Sequence, residues 1–463
     1  MTELARRLTQ LAWQAVNGAT GATDEVVFTG SGGLPSVFPV TDIASAAIAA
    51  AGLSIAKLVQ EADGQRAAVT VDRHLSSVWF QSSLRPIGWS LPSPWDLIAG
   101  DYRARDGWIR LHTNAPHHRA AVERVLGALG DKQSVAHAVA QWAKADLETA
   151  VVDAGGCAAE MRTLAEWDLH PQGRAVAAEP LAHIASTEPG TTPSWSIPSG
   201  RPLEGLRVLD LTRVLAGPVA SRLLAGYGAE VLRIDPPDWD EPGVVPEVTL
   251  GKRCARLDLR SPGDRASFEA LMSKADVFLH GYRPEALEGL GFDAATRRKL
   301  SPGLIDVCLD AYGWSGPWAT RRGFDSLVQM STGIADAGMR RRSSEKPAPL
   351  PVQALDHTTG YLMAAAAICG VARRFAQGSG SEVRLSLART AKLLVDHQLG
   401  HDEVPLAAET EADRSPAVEA TEWGDAQRIA APVQISGVPM RWDYPARGLG
   451  SASPQWLDRP HLR

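Results

Sequence analysis

The alternation of apolar and polar positions changes character along the chain, and the change marks its organisation. The opening residues, MTELARRLTQLAWQAV, place apolar side chains at helical spacing among charges, which predicts an amphipathic helix instead of a secretory leader. Two strongly apolar stretches, Ile43 to Ala56 and Tyr361 to Ala372, fall short of the ~20 residues that a bilayer span needs and predict buried helices. A Pro/Ser/Thr/Gly-rich stretch, STEPGTTPSWSIPSGRP from Ser186 to Pro202, predicts the main linker. Beyond it the pattern becomes strand, turn, helix, strand: RVLDL (Arg207 to Leu211), a turn through Ala216-Gly217-Pro218, a helix ending near Gly226, then EVLRID (Glu230 to Asp235). CARLDL (Cys254 to Leu259), a helix from about Pro262 to Ala275, DVFLHG (Asp276 to Gly281) and LIDVCLDAYG (Leu304 to Gly313) continue it. The expected architecture is α/β, a doubly wound, Rossmann-like parallel sheet.

The first half predicts a smaller α+β module. GDYRARDGWIRLHTN (Gly100 to Asn114) suggests two strands around a tight turn at Asp106-Gly107, with helices at about His118 to Leu129 and Ser134 to Val152. It also carries an echo of the second half. Asp42 precedes an Ala-rich helix and then VTVDRHL from Val69, while Asp356 precedes another and then VRLSLAR from Val383, a shared offset of 314 without a gap. An internal repeat is therefore expected. Residues 400 to 430 are polar and poorly periodic and predict a surface connection, and the last segment, with Trp442 and Trp456, an irregular wrap. The expected divisions are 1–185, the linker 186–202, 203–400 and 401–463.

A chain of 463 residues is about three times the usual domain length, so two or three compact units are expected. Its 47 Lys+Arg against 53 Asp+Glu give a net charge of −6, which argues against a broad electrostatic grip on nucleic acid or anionic lipid. Any anionic ligand must be held locally. Cys157, Cys254, Cys308 and Cys369 form no CxxC pair, which suggests neither a disulfide framework nor a zinc site and points to a reducing compartment, cytoplasmic by default.

In an open parallel sheet, ligands collect beyond the carboxyl ends of strands. The loop Thr212 to Pro218 enters a helix whose first amides lack internal partners and can bind an anion, although it lacks the GxGxxG fingerprint. Asp235 ends the second strand where a ribose-binding acid would stand, or a simple turn residue. Arg233, Lys252, Arg253 and Arg283 recur at loops on this side; singly each reads as a surface charge, together they favour a phosphate-rich ligand. No GxSxG elbow occurs, and His112, His117 and His118 lack metal-ligand spacing, so no metal is expected. Carboxylate chemistry remains. Asp356, at a helix mouth, reads as an N-cap held ionised there, and such a carboxylate can attack an activated carbonyl.

Five ordered segments resemble the class III CoA-transferases, the group of carnitine CoA-transferase, formyl-CoA transferase and α-methylacyl-CoA racemase. They are LEGLRVLDLTRVLAGPVASRLLAGYGAEVLRIDPP, GKR with LDL, HGYRPEALEGLGF, AYGWSGPWATRRGFDSLVQMSTG, and ALDHTTGYLMAAAAICGVARRF with GSEVRLSL. The match runs from about Leu203 to Leu394. Gly100 to about Pro180 resembles the small domain that normally follows the Rossmann part, so the family's segment order appears rotated, with small-domain material first. The resemblance implies that Asp356 is the acylated carboxylate, that Asp325 is the earlier acidic position, and that CoA lies along Val214, Leu215 and Ala216 with Arg233, Lys252 and Arg283 near its phosphates. Tyr312 and Gly313 open a loop whose amides, running to Gly316, are expected oxyanion donors alongside those of the Asp356 helix. In the racemase branch a His precedes the acid; here Phe324 stands there and cannot take a proton. The glycine-run loop of the formyl-CoA branch is replaced by RPIGWSLPSPWDLIAG.

The function implied is transfer of CoA from an acyl-CoA to a free carboxylic acid through an aspartyl intermediate, with acyl-CoA as substrate and no tightly bound cofactor. The alternatives are an acyl-CoA racemase or isomerase on the same fold, and a catalytically degenerate CoA-binding protein. Family members form interlocked dimers, which implies a homodimer. Asp42, in the first copy, reads as a vestigial N-cap.

Overall fold

The computed structural model describes residues 2–18, 25–127, 130–189, 196–399 and 404–458. Its centre is a seven-stranded sheet in the spatial order Lys252–Arg256, Glu230–Asp235, Arg207–Leu211, Val277–His280, Ile305–Asp310, Ser379–Ser386 and His183–Pro189. The first six strands are parallel and the last is antiparallel. The inner strands are apolar on both faces, with Val208, Leu209, Phe278 and Leu279 all buried, as a sheet covered by helices on both sides requires. The order reverses between Arg207–Leu211 and Val277–His280, which leaves a crevice beyond their carboxyl ends.

Two helices of 24 residues form the spine, Val40–Asp63 and Ala354–Gln377. Both are buried along most of their length and rich in Ala, and their mutual contact is the most extensive between any two described elements. Each stops at a glycine in the left-handed region, Gly64 at φ 76° and Gly378 at φ 71°, a conformation that other residues adopt at a cost. The first of them is long and apolar enough by length and composition to cross a membrane, contrary to the expectation from its shorter apolar run, but 94% of its most apolar window is buried inside the protein. It is a core helix.

The helix Ala216–Gly226 crosses the second spine helix at Gly360. A Cβ there would lie 2.2 Å from the carbonyl oxygen of Ala216, so the close approach needs glycine, and it brings the loop before Ala216 beside the mouth of the spine helix. Smaller sheets flank the body. One joins Val26–Thr29, Val69–Asp72 and Val433–Ile435, and another joins Gly100–Ala104, Gly107–Leu111 and Ala158–Glu160.

Several sequence expectations change. The linker begins as sheet, because His183–Pro189 pairs along Ser379–Ser386; of the rest of that stretch, residues 190–195 lie outside the described residues. The helix expected at Ser134 to Val152 is two, Lys132–Val139 and Lys144–Asp153. The polar stretch 400–430 holds a hairpin, Arg414–Thr421 with Gly424–Ile429, whose third strand is Leu84–Pro86. The C-terminal segment does wrap irregularly, anchored by Trp442 Nε1 on the Arg222 carbonyl at 2.9 Å and Trp456 Nε1 on that of Leu271 at 3.0 Å.

Gly360→Ala is expected to lower stability by about 1–3 kcal/mol, the usual cost of forcing an atom into a packed contact. Urea denaturation reads this as a lower midpoint at unchanged slope; an unchanged midpoint would mean that the two helices separate freely.

Candidate active site

Asp356 is the third residue of its helix and is not the N-cap. Gln353 holds that place and makes no side-chain cap. The capping function comes from elsewhere in the chain: Asp325, the first residue of the helix Asp325–Ser331, accepts from the Leu355 amide at 2.9 Å and the Asp356 amide at 3.0 Å through Oδ2. Its Oδ1 accepts from Gln329 Nε2, while Gln329 Oε1 accepts from the Leu350 amide at 2.7 Å. A local Asx cap was the expectation; a buried carboxylate 31 positions earlier performs it, and so frees the Asp356 side chain.

That freedom defines the site. Among the described residues the Asp356 carboxyl takes no hydrogen bond or ion pair, and it lines a cavity of about 450 Å³. Burial pushes its pKa well up, and the negative charge of Asp325 pushes it the same way. Burial also raises Asp325, to about 6, against the pull of the amides and Gln329. The expectation that helix placement keeps Asp356 ionised is therefore overturned. Low dielectric allows the pair one charge, which Asp325 holds because its hydrogen bonds favour the ionised form.

Val214, Leu215 and Ala216 line the same cavity, as does Arg283, which pairs with Glu285 at 2.9 Å and remains 38% exposed. Val214 adopts φ 63°, a strained conformation for a β-branched residue. Its amide donates to Glu241 Oε2 at 2.9 Å, and Glu241 Oε1 accepts from Arg233 at 2.6 Å. Arg233 is wholly enclosed and also paired with Asp235, so it does not face the cavity; it props the loop through Glu241. Lys252 is likewise enclosed, with its ammonium on Asp210 at 3.3 Å and the Pro218 carbonyl at 3.0 Å, and burial lowers its pKa to about 8. It fastens the other end of that loop. Both cations read as ligands in the sequence because they lie in strands beside the loops; their side chains are instead engaged by Asp235 and Glu241, and by Asp210 and the Pro218 carbonyl.

The amides of the Tyr312 to Gly316 loop are largely spent. Gly313 donates to Asp310 at 2.8 Å, and Trp314 and Ser315 both donate to Glu179 Oε1, at 2.9 and 2.8 Å. The Tyr312 hydroxyl lies 3.0 Å from that of Ser331, in the core. The amides of Leu355 and Asp356 are taken by Asp325, so five of the expected oxyanion donors, these two and those of Gly313, Trp314 and Ser315, are already engaged. Asp310 lines the cavity too, and burial pushes its pKa to about 8, which leaves it protonated at neutral pH and able to donate.

Sequence reasoning passed over several cavity residues. Arg213 stacks over Trp239 and Tyr282, at 4.6 and 5.0 Å, and donates to the Tyr282 hydroxyl. Arg213 and Tyr282 also border a second cavity of about 240 Å³ that reaches Asp235 and Arg260. His117 and His118 enter from the first half of the chain, and His112 lies flat against Phe324, ring centroids 3.7 Å apart. Burial lowers His112 and His118 to about 3, so both stay neutral. The HH pair and the Arg of TRVLAGP were visible; their convergence depends on contacts between distant segments.

The fold and this site belong together in one family. The model of CoA-transferase family III matches residues 203–434, half of the chain, and the chain belongs to that family. Its relatives include a probable fatty acyl-CoA transferase of Mycobacterium tuberculosis, Rv3272, 32% identical over 43% of this chain and 54% of that protein. A succinyl-CoA–D-citramalate CoA-transferase of Chloroflexus aurantiacus is 30% identical over the same shares of the two chains, 43% and 54%. An acyl-CoA transferase of Gibberella moniliformis is 28% identical over 70% of this chain and 56% of its own. The chain thus spans about half the length of the curated relatives it matches. A crystal structure of Rv3272 aligns with 43% of this chain and 58% of its own at 30% identity and a TM-score of 0.40.

The carboxyl pair makes a pH prediction. Because folding raises the pKa of Asp325 from 3.8 to about 6 and that of Asp356 further, the native state binds more protons than the unfolded one in this window. The pair's contribution to stability is therefore greatest below pH 4 and is lost as pH rises through 6. In Asp356→Asn this decline should flatten between pH 4 and 7, as read by urea denaturation at each pH. A slope equal to that of the unsubstituted protein would show that the two carboxyls do not share a charge.

Proposed function

We propose that the protein transfers CoA between an acyl-CoA and a free carboxylic acid, with Asp356 as the acyl acceptor. The observation that carries this reading is a buried carboxyl with no partner of its own, opening onto a cavity walled by a helix N-terminus and arginines. We read the strand order as Rossmann-like, and place the acyl-thioester end of CoA along Val214, Leu215 and Ala216. The nucleotide end extends past Arg213 and Tyr282 toward the second cavity, with Arg213 and Arg283 meeting phosphates. Arg213 is stacked and oriented in advance, so less freedom is lost when it binds.

In the first step an Asp356 oxygen bonds to the thioester carbonyl carbon and the C–S bond breaks. The product is a mixed anhydride, and the proton that Asp356 carried ends on the CoA sulfur. Charge is conserved within the buried site, which is what the protonated resting state favours. The thiol then gives up its proton and attacks the Asp356 carbonyl, forming an aspartyl-CoA thioester and expelling the first acid. The acceptor carboxylate attacks that thioester, releasing CoA thiolate and a second mixed anhydride; the thiolate attacks the acceptor's carbonyl, the anhydride C–O bond breaks, and Asp356 leaves as a carboxylate that takes back from solvent the proton carried off by the first acid. Protonated Asp310 supplies a donor on the cavity wall for the oxyanions formed. The racemase reading needs a base where Phe324 stands, and the nearest imidazoles are held neutral with their conjugate acids disfavoured, which leaves it weaker.

With acyl-CoA donors and free carboxylates assayed by chromatography of the CoA esters, Asp356→Asn should lose more than about a thousandfold in kcat. Exchange at a comparable rate in that variant would remove Asp356 from the reaction. Arg213→Ala should weaken CoA binding about 10- to 100-fold, the loss of one or two charge-assisted bonds to phosphate. An unchanged calorimetric Kd would put the phosphates elsewhere.

A further inference from the structure

The two spine helices are more than similar in length. Val40–Asp63 and Ala354–Gln377 correspond residue for residue at the offset of 314, and so do their terminal glycines. Their N-cap residues have the same backbone, Pro39 at φ −75°, ψ 65° and Gln353 at φ −73°, ψ 64°. The same offset carries Val69–Asp72 onto the last four residues of Ser379–Ser386, and the nine-residue helix Arg73–Gln81 onto Leu387–Val395. Even the caps agree: Asp72 accepts from the Leu75 amide and Ser386 from the Arg389 amide, each three residues on.

The neighbours of the two strands agree as well. Each has a parallel partner on one side and an antiparallel one on the other. The antiparallel partners meet equivalent residues, Ile435 opposite Val69 and Ile184 opposite Val383. Those partners are exchanged: the strand that follows the first copy completes the sheet of the second, and the strand that follows the second completes that of the first. What surrounds the copies is complementary. Among the described residues the large sheet stands before the second copy, and the module with Gly100–Ala104, Gly107–Leu111 and the histidines after the first.

We propose that the chain carries two copies of one family unit in tandem, so that one chain builds one open site at Asp356 and a second, closed one at Asp42. The open site draws Asp356 and the 213–216 loop from one unit and His117 and His118 from the other. At Asp42, buried and equally far along its helix, the counterpart of the cavity-lining Leu387 is Arg73, whose guanidinium donates to Asp42. A single exchange of an apolar wall for a cation converts a free carboxyl into half of an ion pair. The apparent rotation of segment order follows from the tandem, since the module that stands first is the one that follows the first copy. The homodimer implied by the resemblance is met within one chain.

The inference rests on the CoA-binding reading only for what the open site binds. Native mass spectrometry of the full-length protein titrated with CoA tests it. The expected species is a single 49.4 kDa chain binding one CoA. Asp42→Asn, and Asp42→Asn with Arg73→Met to avoid stranding a buried cation, should keep that stoichiometry and the Kd within about twofold. Two CoA per chain, or binding confined to a pair of chains, would overturn the proposal. If no CoA binds to any species, the acyl-transfer reading falls, and mass alone decides the tandem: a single chain supports it and an obligatory pair of chains overturns it.

Discussion

The site depends on one buried carboxylate that does no chemistry. Asp325 takes the two amides at the mouth of the second spine helix and in doing so fixes where that helix begins, how it faces the cavity and which charge its neighbour can carry. Satisfying amides through a partner from another segment costs the burial of a charge, which is tolerable only because three donors surround it. The consequence falls on Asp356. With the cap supplied externally its side chain is released, and with one negative charge already present its own ionisation is suppressed.

The rest of the architecture shapes the cavity onto which that carboxyl opens. Gly360 lets one helix N-terminus come against another helix, and two enclosed cations, Arg233 through Glu241 and Lys252 on the Pro218 carbonyl, hold the loop between them in a strained form. Strain of this kind persists where the surroundings over-determine it, and it concentrates at sites that must be rigid before a ligand arrives. The cations proposed to meet phosphates are a different pair, Arg213 and Arg283, both of which line the cavity.

Much of this was legible in the sequence. The parallel sheet followed from alternation of strand and helix, and the spine helices and their common offset from Ala-rich runs placed after Asp42 and Asp356. What was not legible is non-local. The identity of the cap at Asp356 depends on a residue 31 positions away, so a short-range rule chose the wrong oxygen. Arg233 and Lys252 lie in strands beside the loops, as ligand residues would, but whether such a side chain reaches the cavity depends on partners, Asp235, Glu241 and Asp210, that only packing brings together. The strand in the linker was masked by its Ser and Thr, and the hairpin at 414–429 by an outer strand, Arg414–Thr421, that buries none of its residues and so carries no apolar alternation.

Acceptance of the acyl chain by Asp356 is tested by exposing the protein to a panel of acyl-CoAs, trapping with hydroxylamine, and mapping the peptides by mass. An aspartyl hydroxamate is expected at Asp356 alone. A hydroxamate at Asp42, or none anywhere while acyl transfer proceeds, would contradict it.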